Sequence, residues 1–174
     1  MISTIGIIGA GSWGTALATV LAGKGNKVRI WDIDEKHLKS MEDNRENVDY
    51  LPGVALNDNI GISYTVEEAL IGADTVLFSA PAQHFRSALQ SAAEYIDDKS
   101  VVINVAKGIE QKSLARMSEI ASEVLECNYD NVVVVSADTD TSPYDSGSYA
   151  SSTTYLWRLH HITCRQQRRF RICL

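Results

Sequence analysis

Residues 9–14 of the chain read GAGSWG and follow the pattern G-x-G-x-x-G. The apolar residues 5–8 before them are typical of a buried strand, and residues 15–22 after them have the apolar spacing of a helix. A strand, a glycine-rich turn and a helix in this order are the fingerprint of a dinucleotide-binding unit. A glycine turn with a structural purpose only, and no ligand, is the alternative interpretation.

The three glycines of this turn are predicted to act differently. Gly9 lets the chain leave the strand through a conformation that side chains resist. Gly11 lets a pyrophosphate approach the backbone, and Gly14 lets the helix pack close to the strand. The N–H groups at the start of the helix would then bind the phosphates. The helix is predicted to face the sheet with Trp13, Ala16, Leu17, Val20 and Leu21.

A second predicted strand, residues 27–31, ends at Asp32. Asp32 lies about 20 residues after the glycines, where dinucleotide-binding units place the acid that binds ribose. A carboxylate there accepts hydrogen bonds from both ribose hydroxyls and repels a 2′-phosphate, so NAD is favoured as the cofactor, with NADP as the alternative. Asp32 or Asp34 could instead only cap the next helix, and Asp34 is the better candidate for that role.

The composition is that of one soluble globular domain, with 174 residues, 45% hydrophobic and 22% charged. The net charge of −6 gives no support to nucleic acid as a partner. The chain has neither an apolar run near the ~18 residues that cross a bilayer nor a signal sequence, so we expect no membrane span and a cytoplasmic protein. Its cysteines, Cys127, Cys164 and Cys173, lack metal-ligand spacing, so no metal site is predicted.

Strand and helix patterns alternate along residues 1–136, which predicts an α/β fold with a Rossmann-like, doubly wound and mostly parallel sheet. Further strands are predicted at residues 60–62, 75–78, 101–105 and 132–135. Further helices are predicted at residues 34–44, 65–71, 85–96 and 114–125. Residues 65–68 fit a capping box that opens the second of these helices.

The character of the chain changes after Ser136. Residues 137–154 are nearly all small or polar, and residues 155–174 contain five arginines and no acid. We predict that residues 137–174 form an aberrant, basic and disordered tail. A basic arm that binds RNA or a membrane surface is the alternative.

Four motifs in order point to a known family: GSWGTALA at residues 11–18, YLPG at 50–53, APAQ at 80–83 and AKGIE at 106–110. Together they resemble the N-terminal domain of the bacterial type of NAD(P)-dependent glycerol-3-phosphate dehydrogenase. The resemblance extends from the first residue to about Ser136. It implies interconversion of sn-glycerol 3-phosphate and dihydroxyacetone phosphate, which supplies phospholipid synthesis.

By matching position, the resemblance implies that Ser12 and Trp13 contact the cofactor and that Tyr50 lies near its adenosine side. It also implies that Lys107 lies near both the nicotinamide and the substrate. Lys107 follows the carboxyl end of a predicted parallel strand, where doubly wound sheets bind ligands. An ammonium there can attract a substrate phosphate or polarise a carbonyl. A solvated surface lysine is the alternative, and His84 could line the same crevice or be structural.

The chain departs from the family at residues 136–140, which read SADTD where the family continues with Ser-Gly-Pro. The resemblance implies an all-helical C-terminal domain that supplies the proton-donor lysine, and we expect this domain to be absent. We therefore expect a truncated or frameshifted product that binds the cofactor but is catalytically incomplete, and for which a family-like homodimer is disfavoured. The alternatives are a non-catalytic NAD-binding fragment and a dehydrogenase of the 6-phosphogluconate or hydroxyacyl-CoA type, and the KGIE motif argues against the last two types.

Overall fold

The computed structural model describes residues 2–135 and 170–173. The strands are β1 Thr4–Ile8, β2 Lys27–Trp31, β3 Ile60–Ile62, β4 Thr75–Phe78, β5 Val101–Asn104, β6 Val132–Val135 and β7 Phe170–Cys173. The α-helices are α1 Ser12–Gly23, α2 Glu35–Asn44, α3 Val66–Leu70, α4 Ala82–Ala92 and α5 Met117–Val124. Short 3-10 helices occupy Ala93–Tyr95 and Tyr129–Asn131. None of the described helices is long and apolar enough to cross a membrane.

The strands form one sheet in the order β3-β2-β1-β4-β5-β7-β6, and every pairing in it is parallel. The chain winds outwards from β1 to β3 and then returns to add β4 on the other side of β1. The direction of winding therefore reverses between β1 and β4, which confirms the predicted doubly wound, Rossmann-like fold. In such sheets ligands bind outside the carboxyl ends of the strands at this reversal.

Helices cover both faces of the sheet. Neighbouring residues of a strand point to opposite faces, so they belong to different hydrophobic cores. In β1, Ile7 belongs to one hydrophobic core and Ile8 to the other. Their partners in β4, Leu77 and Phe78, divide in the same way. Residues of α1 and α2 complete the first core, and residues of α3, α4 and α5 complete the second. Continuous apolar runs such as residues 5–8 are the sequence signal of such doubly covered strands.

The predicted face of α1 is wrong in part. The buried side of the helix consists of Gly14, Thr15, Ala18 and Ala22, whereas Trp13 is 38% exposed. The other predicted members of the face are half-buried. The physical reason is that α1 lies too close to the sheet for large side chains, so small residues fill the contact and larger ones lie beside it.

Two other predictions differ from the structure at element ends. Helix α5 begins at Met117 because Leu114, with φ +59°, is an exposed turn residue outside the helix. Strand β5 ends at Asn104, whose side chain accepts a hydrogen bond from the N–H of Ala106 and so turns the chain. The predicted capping box at residues 65–68 is present at the start of α3.

Part of the predicted tail is a strand. Phe170–Cys173 pairs in parallel with β5 on one side and β6 on the other, and its backbone occupies the gap between them. The backbone N–H and C=O groups of an interior strand need hydrogen-bond partners on both sides, and β7 provides them for the facing sides of β5 and β6. The structure therefore differs from the predicted disorder at these four residues. The rest of that prediction, residues 137–169 and 174, lies outside the described residues.

Candidate functional site

The glycine-rich turn lies at the reversal point between β1 and β4. The N–H of Gly9 donates to the carbonyl of Trp31 at 2.8 Å, and Gly9 has φ +111°. The Oγ of Ser79, just after β4, donates to the carbonyl of Gly9 at 2.7 Å. The turn is therefore anchored to the ends of β2 and β4, outside the carboxyl ends of the strands.

The three glycines have different surroundings. A Cβ at Gly14 would lie 2.0 Å from the carbonyl oxygen of Gly9, and one at Gly9 would lie 2.9 Å from the N atom of Ala80. A Cβ at Gly11 would meet nothing within 4 Å. Gly9 and Gly14 are thus needed for close packing of the fold, whereas Gly11 faces open space that a ligand can fill.

The start of α1 is suited to an anion. Gly11 is the N-cap residue and supplies no side-chain cap, and the first turn contains no acidic residue. The first N–H groups of a helix have no acceptor within it, and they carry partial positive charge. Ser12 and Trp13, which the sequence predicts as cofactor contacts, occupy this first turn and are exposed.

The carboxylate of Asp32 accepts two hydrogen bonds from within the protein. Its Oδ2 accepts a hydrogen bond from the N–H of Ala10 at 2.7 Å, and its Oδ1 accepts from the N–H of Asp34 at 3.2 Å. Asp34 is the N-cap of α2 and accepts from the N–H groups of Lys36 and His37, so it is the capping residue, as predicted. Asp32 lies beside the glycine turn, where its remaining lone pairs are the predicted acceptors for ribose.

Three polar side chains that were not predicted from the sequence hold the turn. The carbonyl oxygen of Ala10 accepts hydrogen bonds from Asn47 Nδ2 at 2.8 Å, His37 Nε2 at 3.1 Å and Thr15 Oγ1 at 3.2 Å. Thr15 and Asn47 are 0% exposed and His37 is 6% exposed. Thr15 could have been noticed in the sequence as a polar residue on an otherwise apolar helical face. That pattern does not show which residues it contacts.

Tyr50 lies close to this group and is exposed. Its ring meets the ring of His37 edge-on, with centroids 4.9 Å apart and an interplanar angle of 82°. Its N–H donates to Asn47 Oδ1 at 3.0 Å. The structure therefore brings the predicted adenosine-side residue to the same end of the sheet as the glycine turn, through His37 and Asn47.

Lys107 lies after the carboxyl end of β5, on an exposed loop. The neighbouring residue Gly108 has φ +115°. The loop is fixed by Gln83 of α4, whose Nε2 donates to the carbonyl of Ile109 and whose Oε1 accepts from the N–H of Gln111, both at 2.9 Å. The side chain of Lys107 is thus carried on a loop whose backbone is held by α4, beyond the carboxyl end of β5. The other candidate at this edge, His84, is exposed.

A second contact from α4 holds the same loop. Arg86 Nε lies 2.9 and 3.2 Å from the two carboxylate oxygens of Glu110, and Arg86 Nη2 lies 3.2 Å from one of them. Arg86 Nη1 also contacts Glu123 at 2.9 Å. Hydrogen bonds from Arg86 and Ser113 lower the pKa of Glu110, and the bond to Glu110 raises the pKa of Arg86.

The ion pair between Arg86 and Glu110 should make the stability of the protein depend on pH. Because the folded-state pKa of Glu110 lies below its usual 4.5, the contribution is complete above about pH 4.5 and disappears as the pH falls through the lowered pKa. We expect Glu110→Gln to lower the thermal midpoint at pH 7 and to have a smaller effect at pH 3. Thermal unfolding from pH 3 to 7 measures this. Glu126→Gln, at an exposed carboxylate, is the control, and an effect of Glu110→Gln that is independent of pH would contradict the prediction.

Among residues 2–135 and 170–173, no group of three His, Cys, Asp or Glu side chains is arranged to hold a metal ion. The candidate site consists of backbone N–H groups at the start of α1, the carboxylate of Asp32 and the ammonium of Lys107. These are the groups that bind a dinucleotide and a phosphorylated substrate.

Comparison with known proteins shows which family the chain resembles. The family described as "NAD-dependent glycerol-3-phosphate dehydrogenase N-terminus" matches residues 4–139. Glycerol-3-phosphate dehydrogenase [NAD(P)+] of Bacillus velezensis is 40% identical over 131 residues, which are 75% of this chain and 38% of that protein. The enzyme of the same name from Agathobacter rectalis is 38% identical over 125 residues, which are 72% of this chain and 37% of that protein.

A solved structure is similar along nearly the whole chain. The crystal structure of glycerol-3-phosphate dehydrogenase from Coxiella burnetii superimposes with a TM-score of 0.71 and 26% identity, covering 98% of this chain and 54% of that one. The chain thus spans less than two fifths of the length of the two relatives and about half of the solved structure.

Proposed function

The chain belongs to the NAD-dependent glycerol-3-phosphate dehydrogenase family, whose N-terminal domain it contains, and we propose that residues 9–14 bind the pyrophosphate of NAD. The observation that carries the proposal is the open space at Gly11 beside the uncapped start of α1. A phosphate that approaches there meets N–H donors and no side chain. Ser12 and Trp13 flank the same place and are the proposed side-chain contacts.

The proposed ribose and adenosine contacts are Asp32 and Tyr50. The carboxylate of Asp32 lies beside the turn, and its contact with the N–H of Ala10 holds it there. Asp34 adds a second negative charge nearby. A 2′-phosphate would be repelled by these carboxylates, which supports NAD as the preferred cofactor and NADP as the weaker one.

The proposed reaction is hydride transfer between NAD(P)H and dihydroxyacetone phosphate. A nicotinamide bound at this turn would supply the hydride to the carbonyl carbon, and the carbonyl oxygen would take its proton from water, which gives sn-glycerol 3-phosphate. Lys107 is proposed to attract the substrate phosphate or to polarise the carbonyl, since its loop lies at the carboxyl edge of the sheet. We assign residues 1–136 to this cofactor-binding domain and expect it in the cytoplasm.

A titration with NADH and NADPH tests the cofactor assignment. We expect NADH to bind on the order of tenfold more tightly, because the 2′-phosphate of NADPH meets like charge. Asp32→Asn keeps an acceptor for the N–H of Ala10 but removes the charge, so it should narrow the difference between the two ligands. Calorimetry measures both affinities. If the folded protein binds neither NADH nor NADPH, the proposed function is wrong.

Cofactor binding without turnover is the second candidate function. The chain spans 37% to 38% of the two relatives, and the contacts proposed for the cofactor all lie within residues 9–107. Oxidation of NADH with dihydroxyacetone phosphate, measured on the preparation used for the titration, separates the two candidates. Turnover supports the dehydrogenase, and binding without turnover supports the binding module.

A further inference from the structure

The peptide group between Ala10 and Gly11 has one end in the protein interior. Its carbonyl oxygen accepts from Asn47, His37 and Thr15. In a trans peptide the C=O and the N–H point in opposite directions. The donors that hold the carbonyl therefore also direct the N–H of Gly11 away from the interior.

The peptide group between Ala10 and Gly11 needs hydrogen bonds to fix its orientation, because the backbone of glycine rotates more freely than that of other residues. The preceding groups of the turn are already fixed. Ser79 holds the carbonyl of Gly9, and Asp32 accepts from the N–H of Ala10. The N–H of Gly11 is thus the first donor of the turn whose direction depends on the three residues around the Ala10 carbonyl.

Asn47 is the best fixed of the three. Its Nδ2 donates to the carbonyl of Ala10 at 2.8 Å and to Thr15 Oγ1 at 2.7 Å, while its Oδ1 accepts from the N–H of Tyr50 at 3.0 Å. Both ends of the amide are used and the residue is fully buried. The amide has one orientation that satisfies all of these contacts, with its NH₂ group facing the turn.

We propose that Asn47 is a positioning residue for cofactor binding, which directs the N–H of Gly11 to the pyrophosphate by holding the carbonyl of Ala10. The inference rests on the proposed function, because it takes the ligand at residues 9–14 to be NAD. It adds a residue 33 positions after the last glycine of the motif to the machinery of the turn.

Asn47→Asp is the sharpest test. The substitution keeps the volume and the acceptor for Tyr50, but it places a carboxylate oxygen against the Ala10 carbonyl in place of the donor. Two acceptors at 2.8 Å repel each other, so the peptide group should turn. We expect the Kd of NADH to rise by about tenfold or more.

Asn26→Asp is the matched control. Asn26 lies at the opposite edge of the sheet, where its Nδ2 donates to the carbonyl of Leu21 and its Oδ1 accepts from the N–H of Ser3. The same chemical change there should lower stability without changing the Kd of NADH. If Asn47→Asp does not fold, Thr15→Val removes the hydroxyl from the same network and should raise the Kd by about threefold.

The N–H of Gly11 gives a second readout, the position of its signal in ¹⁵N–¹H spectra without ligand. The signal should move in Asn47→Asp and stay in Asn26→Asp, which a general loss of stability would not produce. An unmoved Gly11 signal, or a Kd in Asn47→Asp within twofold of that of the parent protein, overturns the inference. If the parent protein does not bind NADH, the proposed function fails, while the Gly11 signal still decides whether Asn47 orients this peptide.

Discussion

Gly14→Ala is expected to destabilise the protein by about 3 kcal/mol or more, at the upper end of what overpacking produces. The added Cβ would lie 2.0 Å from the carbonyl oxygen of Gly9 and 2.4 Å from Ser79 Oγ. Neither atom can move freely, because Ser79 Oγ also donates to that carbonyl. Alanine is better than glycine in a helix by about 1 kcal/mol, so the clash decides the sign. Thermal unfolding should show a midpoint lower by roughly 6–12 °C.

Gly23→Ala is the matched control for this substitution. Gly23 lies in the same helix, at its last position, and a Cβ there meets nothing within 4 Å. Its thermal midpoint should remain the same or rise slightly, because only the helix preference acts there. If both variants unfold at the temperature of the parent protein, α1 does not pack as closely on the turn as the structure describes.

The sequence predicted the fold well because its signals are local. The turn at residues 9–14 combines three positions with separate physical requirements, and strands buried on both faces appear as continuous apolar runs. The same reasoning predicted the buried face of α1 only in part, since Leu17 and Leu21 pack against the core and Trp13 does not. Helical periodicity identifies positions with large apolar side chains. The close approach of α1 to the sheet, which Gly14 permits, instead leaves room only for small side chains.

The candidate site was predictable only in its outline. Gly11 and Asp32 follow from the spacing of a known motif, but Asn47 contacts Ala10 across 37 residues and His37 contacts it across 27. Contacts of this kind depend on how the loop after α2 folds back over the turn, which no local pattern encodes. The support of the Lys107 loop by Arg86 and Gln83 was missed for the same reason.

Strand β7 shows the limit of composition as a signal. Residues 155–174 are rich in arginine and lack acids, which predicts a solvated segment. Within it, residues 170–173 read FRIC and are rich in residues that favour strands. Pairing with both β5 and β6 is a tertiary event, and it outweighs the average character of the surrounding sequence.

Gly11→Ala is expected to have the opposite effect to Gly14→Ala, with a large loss of NADH affinity and no loss of stability. Gly11 has φ −67° and ψ −175°, which alanine adopts without strain, and a Cβ there meets no protein atom within 4 Å. The lower chain entropy of the unfolded state favours the variant by about 0.5 kcal/mol, but Gly11 is the N-cap of α1, where alanine is less favourable than glycine, so the two effects roughly cancel. A pyrophosphate that lies against the backbone would meet the new methyl group, at an expense of roughly 1–3 kcal/mol, or about ten- to hundredfold in Kd.

The pair of substitutions separates the two purposes of the motif. Calorimetry with NADH measures the affinity of the Gly11→Ala protein, and thermal unfolding measures its stability without ligand. A midpoint that falls would show that the space beside Gly11 is filled by the protein itself. An unchanged midpoint with unchanged NADH affinity would mean that the phosphates do not approach the backbone at Gly11, and the placement of the cofactor on this turn would then be wrong.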